Sequence, residues 1–204
     1  MHAGPLPGWP AAVLVLTDRT LTGGRPLADH VGGAPAVILR EKDLPIRERL
    51  ALAGQLRPCV EVLIVASAVS PDADGTHLSA DDPFPARRPV IVGRSCHSHE
   101  QLQRAAEEGC DYATLSPIFS SPSKPGYGPA LGVAALSGAP LPVYALGGVN
   151  TENAGDCRAA GAAGVAVMGA AMRAADLMTL VAALVSSHRT ARGASRAPGR
   201  GGRR

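Results

Sequence analysis

The chain has 204 residues, 46% hydrophobic and 3% aromatic, which is enough apolar material for one core and too few rings for an aromatic-rich β-sandwich. Its net charge of +3 depends on six arginines of the C-terminal segment, Arg189, Arg192, Arg196, Arg200, Arg203 and Arg204; without them the remainder stands at −3, which argues against a nucleic-acid-binding body. No apolar run is long enough for a membrane span, the N-terminal segment lacks a basic start followed by an apolar stretch, and Cys59, Cys96, Cys110 and Cys157 form no C-x-x-C pair, so a cytoplasmic protein with reduced thiols is expected.

Short apolar runs recur along the chain: Ala12 to Thr17, Ala36 to Arg40, Val60 to Ala66, Thr76 to Leu78, Val90 to Ser95, Tyr112 to Leu115, Val143 to Leu146 and Val165 to Met168. They are apolar nearly throughout rather than alternating, the pattern of a parallel sheet covered on both faces. Helical spacing appears at Ile46 to Leu56, His99 to Glu108, Asn153 to Ala160 and Ala174 to Val185. Eight strand-like runs interleaved with helices predict a compact α/β fold, a (β/α)8 TIM barrel, with one crossover, Ser67 to Asp74, truncated to a loop. An open doubly wound sheet is the competing reading, but Thr17-Asp18-Arg19 stands where its glycine-rich fingerprint would follow the first strand. Residues 1-187 are read as the barrel. Residues 188-204 are read as a disordered Arg- and Gly-rich tail, too poor in apolar side chains to pack.

In such a barrel the active site is built at the C-terminal ends of the strands. Arg40-Glu41-Lys42-Asp43 follows the second run, His77 to Asp82 the fourth, Gly93 to His97 the fifth and Ser116 to Gly128 the sixth. Of 20 basic residues only Lys42 and Lys124 are lysine, and both fall in these loops, where a compact ammonium differs from a planar guanidinium. The Ser-, Pro- and Gly-rich stretch from Ser120 to Pro129 suits an oxyanion as well as an ordinary surface loop. Gly147-Gly148-Val149, with Thr151 or Asn153 to cap the helix behind it, and Val167-Met168-Gly169-Ala170 offer backbone N–H groups to a phosphate. His77 and His97 are read either as general bases or as hydrogen-bonded structural residues.

Taken together these loops resemble the thiamin phosphate synthase and TenI family from Val13 to Val185. The family's R-x-K is matched by Arg40 and Lys42, its D-G-x-H-L segment and following acid by Asp74-Gly75-Thr76-His77-Leu78 and Asp82, and its G-x-S-x-H by Gly93, Ser95 and His97. Its G-P-[IV]-F-x-T-x-T-K stretch is matched by Ser116-Pro117-Ile118-Phe119 with Ser121, Ser123 and Lys124, and its G-G-[IV] turn by Gly147-Gly148-Val149. The resemblance implies a transferase of thiamin biosynthesis that joins hydroxymethylpyrimidine diphosphate to thiazole phosphate and releases pyrophosphate. It implies that Arg40, Lys42, Ser95 and Lys124 are catalytic, with Ser121 and Ser123 on the diphosphate. Gly147, Gly148, Val167, Met168 and Gly169 would hold the thiazole phosphate, and Asp82 a Mg2+ ion. The partners implied are small phosphorylated molecules, with no membrane or nucleic acid, and a homo-oligomer is left open.

The chain also departs from the family pattern. Ala66-Ser67 replaces the Asn-Asp that usually follows the third strand, and Ile38 replaces a Gln, so one metal carboxylate and two polar groups are missing. The alternatives are a TenI-like thiazole tautomerase, against which Pro117 stands where that branch can place a His, and a non-catalytic barrel that binds thiazole phosphate.

Overall fold

Each apolar run becomes a short strand buried on both faces. The computed structural model describes Trp9, residues 11–120 and residues 129–194, with side chains up to Ser187. Its strands are β1 (Val13–Leu16), β2 (Ala36–Leu39), β3 (Val62–Ala66), β4 (Gly75–Leu78), β5 (Ile91–Cys96), β6 (Tyr112–Leu115), β7 (Val143–Leu146) and β8 (Gly164–Val167). They form a closed parallel barrel in chain order, sealed where Val13, Leu14 and Val15 pair with Val165, Ala166 and Val167. Successive side chains of a strand point to opposite faces. Leu14, Ile38, Ile64 and Ala166 therefore fill the barrel, while Val15, Leu39, Val65 and Val167 pack under the helices. Both sets are apolar, which is why the sequence pattern runs continuously instead of alternating.

The helices are α1 (Leu27–Val31), α2 (Ile46–Leu56), α3 (His99–Glu107), α4 (Ala154–Ala159), α5 (Gly169–Arg173) and α6 (Leu177–Ala194). Helix α3 starts at Ser98, whose side chain accepts the Gln101 N–H, and turns Leu102 and Ala105 inward. Asp176 caps α6 by accepting the Thr179 N–H at 3.0 Å. That helix begins after Ala174 and runs to Ala194, beyond Ser187; residues 195–204 lie outside the described residues.

The β3–β4 connection is helix-free, as expected. The β4–β5 connection also lacks a helix, and among the described residues β6–β7 contains only a 3-10 turn, Val133–Leu136. The cause is local: Pro83, Pro85 and Pro89 interrupt the first of these, and Pro140 and Pro142 the second, each removing an N–H and clashing with a preceding carbonyl.

Candidate active site

The loops after β1 and β2 are tied by a buried carboxylate. Glu41 has 1% exposure, and its two oxygens accept the Arg19 N–H at 3.1 and 3.0 Å. The Arg19 guanidinium then spans Glu41 at 3.3 Å and Asp43 at 2.6 Å. The Arg40 N–H donates to Thr17 Oγ1 at 3.0 Å. Arg40 and Lys42, which flank Glu41, thus stand on a braced corner rather than on a loose turn.

Between β3 and β5 the brace is Arg94, also with 1% exposure. It points out of the barrel, and its Nη1 donates to the carbonyls of Ser79 at 2.9 Å, Ala80 at 3.1 Å and Asp82 at 2.8 Å. Its Nη2 pairs with Glu108 at the end of α3. The loop after β4 is thereby held closed, with the Ser79 N–H donating to Asp82 Oδ2 at 2.8 Å. Burial opposes ionisation of Asp82, but hydrogen bonds from Ser67 and Ser79 and the charge of Arg94 hold its carboxyl below the usual range. Ser67 adopts φ 53, its N–H donates to the His77 carbonyl at 2.9 Å, and its hydroxyl contacts Asp82.

His77 points into the barrel below this loop, with Nε2 2.9 Å from Ser95 Oγ and Nδ1 3.0 Å from the Tyr112 hydroxyl. Burial pushes its pKa from 6.5 down to about 3, aided by Arg94, Lys42 and Arg40 and opposed by Asp82. The ring thus feels the charges of four residues while its hydrogen bonds go to Ser95 and Tyr112 alone. An imidazole enclosed this way, with both nitrogens hydrogen-bonded and its pKa depressed, is a weak base. His97 places Nδ1 2.8 Å from the Ser116 carbonyl, fixing the start of the loop after β6. Of the two roles open for these histidines, both geometries match hydrogen-bonded positioning.

Across the mouth, Gly147 and Gly148 turn with φ 91 and 66. A Cβ on Gly148 would lie 2.6 Å from the Ser120 carbonyl oxygen, so only glycine admits the loop after β6 so close. The Ile118 and Phe119 N–H groups donate to the carbonyls of Leu146 and Gly147 at 2.9 and 3.0 Å, joining the two loops. Of the two expected caps, Asn153 occupies the N-cap position of α4 but makes no side-chain hydrogen bond to the helix; its Oδ1 accepts the Asn150 N–H at 2.8 Å and its amide donates to the Gly148 carbonyl at 3.0 Å. Asn150 Oδ1 accepts the N–H groups of Glu152 and Asn153, ahead of the helix, at 2.9 and 3.1 Å. Val167 turns its side chain to the helix layer and offers the site only backbone; Met168 packs against the barrel interior and Gly169 opens α5.

Arg40, Lys42, Asp82, Ser95, the Gly147-Gly148 turn and residues 167–169 thus all stand at or just beyond the C-terminal ends of strands of one barrel. Ser121, Ser123 and Lys124 lie outside the described residues. Among the described residues no three His, Cys, Asp or Glu side chains converge to hold a metal. Asp82, ionised and half-buried, fits an ion shared with a substrate's phosphates, not a cage made by the protein alone. Sequence reasoning missed Tyr112, Arg94 and Glu41 as supports. For Tyr112 the available signal was a glycine, Gly93, in register beside it.

The family model for thiamine monophosphate synthase matches residues 27–171. A thiamine-phosphate synthase of Roseiflexus castenholzii is 39% identical, covering 84% of this chain and 86% of its own. One of Methanoculleus marisnigri is 38% identical, covering 91% and 97%. Among solved structures, a thiamine phosphate pyrophosphorylase from Pyrococcus furiosus superposes with a TM-score of 0.74 at 28% identity, over 88% of this chain and 96% of its own.

Proposed function

Because the chain belongs to the thiamine monophosphate synthase family, we propose that it joins hydroxymethylpyrimidine diphosphate to thiazole phosphate and releases pyrophosphate. The observation that supports this reading is the hydrogen bond between Ser95 and His77, a ring within electrostatic reach of Arg40, Lys42 and Asp82, at the same end of the barrel as a glycine turn suited to a second, phosphorylated substrate.

In this reaction the bond from the pyrimidine methylene to the diphosphate oxygen breaks, and its electron pair leaves on the diphosphate. The thiazole ring nitrogen supplies the pair for the new C–N bond. No proton need move. The residues therefore have two tasks, to hold the reactants in line and to stabilise charge on the leaving oxygens. Arg40 and Lys42 supply positive charge from the braced corner, and the Ser95 hydroxyl supplies a hydrogen bond. By resemblance Ser121, Ser123 and Lys124 complete that half. Asp82 would hold Mg2+ jointly with the diphosphate, and the ion would add positive charge there. The Gly147-Gly148 backbone and the first N–H groups of α5, which lack partners within the helix, would receive the thiazole phosphate.

One observation favours a tautomerase instead: Asp82 faces the Ser67 hydroxyl rather than a second carboxylate. That chemistry needs a base, however, and His77 is enclosed, with both ring nitrogens hydrogen-bonded and its pKa depressed. The same reading implies small phosphorylated partners and a cytoplasmic setting; among the described residues no helix is long and apolar enough to cross a membrane. The test is pyrophosphate release from the two synthase substrates, with and without Mg2+. Turnover to thiamin phosphate is expected. No turnover, together with aromatisation of a thiazole tautomer, would replace this reading with the alternative.

A further inference from the structure

Gly93 on β5 is the register partner of both His77 on β4 and Tyr112 on β6. A Cβ at Gly93 would lie 2.1 Å from Tyr112 Cζ and 2.6 Å from its hydroxyl oxygen, so the bare backbone is what lets the phenol ring lie across β5. The ring reaches β4, stacking on His77 at 5.5 Å and 25° with its hydroxyl 3.0 Å from Nδ1. On the other side of the imidazole, Nε2 meets Ser95 Oγ at 2.9 Å. The three groups form one line from the buried barrel interior to the half-buried Ser95 at the mouth.

The direction of the hydrogen bonds along this line follows from donor chemistry. A neutral imidazole has one donor nitrogen and one acceptor nitrogen. The Tyr112 hydroxyl has no other hydrogen-bond partner among the described residues, and a phenol O–H is the better donor of the two groups. Its proton therefore goes to Nδ1, which leaves the histidine proton on Nε2, donating to Ser95 Oγ. The Ser95 oxygen is then occupied as an acceptor, and its own proton must point away from His77. We propose that Tyr112, acting through His77, fixes the Ser95 hydroxyl as a donor aimed at the diphosphate oxygens, so that Tyr112 and His77 are positioning residues for pyrophosphate departure. The proposal rests on the synthase reading for what Ser95 faces, but the line of hydrogen bonds belongs to the free protein. No proton is transferred along it.

Nitrogen-15 NMR on histidine-labelled protein reads the tautomer directly. His77 is expected to carry its proton on Nε2 in the wild type, and Tyr112→Phe, which removes only the hydroxyl, is expected to redistribute it toward Nδ1. Pyrophosphate binding by calorimetry gives the second readout. Ser95→Ala weakens it by about tenfold, the scale of one hydrogen bond to a charged ligand; Tyr112→Phe weakens it less, and the double variant is no weaker than Ser95→Ala alone, because both act through one hydroxyl. A proton on Nδ1 in the wild type, or losses that multiply in the double variant, overturns the relay. Absence of turnover with the two synthase substrates would sink the functional reading alone, since neither measurement depends on turnover.

Discussion

Arg94 buries a guanidinium to hold three carbonyls of the loop that carries Asp82. Replacing it with Met keeps the volume but strands those carbonyls and leaves Glu108 only its partner Arg104 at 2.8 Å. Removing one partner of a buried ion pair costs about 3 kcal/mol or more, so the urea midpoint of Arg94→Met should fall well below wild type; an unchanged midpoint would mean that the loop closes without it. His77 makes a second residue-scale prediction. Its folded pKa near 3 lies below the ordinary 6.5, so the unfolded chain takes up the proton first as pH falls. The stability it contributes is full above 6.5 and is lost on acidification toward 3, by at most about 1.4 kcal/mol per pH unit. Urea midpoints should therefore drop between about pH 7 and about pH 5, and His77→Gln should flatten that drop; equal slopes would refute the assignment. The sequence singles out Arg40, Lys42, Ser95 and Asp82 because each is polar and stands at or just beyond the end of an apolar run. It does not single out Arg94 and Tyr112. One looks outward into the helix layer and the other inward to the barrel, and neither orientation leaves a periodic mark in so short a strand.

At the scale of elements, loop chemistry decides more than helix propensity does. The β7–α4 turn works because Asn150 and Asn153 bond each other's backbone, Asn150 Oδ1 accepting the Glu152 and Asn153 N–H groups and Asn153 Oδ1 the Asn150 N–H, while the Asn153 amide holds Gly148. Asn150→Ala is expected to cost about 1 kcal/mol of stability, the scale of a lost hydrogen bond, and to weaken thiazole phosphate binding, since the glycine turn loses its backing; unchanged binding by calorimetry would show that the turn stands alone. The eight strands and helix α2 were readable because apolar runs and helical spacing are local. The missing β4–β5 helix was not anticipated, although its prolines were in plain view. What replaces the helix is the Arg94 clamp, a contact to Glu108 across 14 residues that no local pattern records. That the N-cap residue Asn153 bonds Gly148 rather than its own helix is likewise a contact no local pattern records.

For the whole molecule, the deepest packing of α6 ends at Leu184, with 0% exposure, and the Ser187 hydroxyl makes the last described side-chain tie, to the Thr151 carbonyl at 2.7 Å. Removing residues 188–204 should leave the melting temperature within a few degrees of wild type and turnover intact; a large drop would assign the end of α6 a structural role. The seam between β1 and β8 has a consequence of another kind. Val13–Val15 finds its partner in Val165–Val167, and Arg25 reaches across to the carbonyls of Ala174 and Ala175 at 2.8 and 3.2 Å. As the chain leaves the ribosome, one edge of β1 therefore waits with its hydrogen-bonding groups unpaired and its valines uncovered until nearly all of the barrel has been made. An open parallel edge of that length is a template for pairing with a neighbouring nascent chain, so the last strand to be synthesised is also the one that removes this hazard.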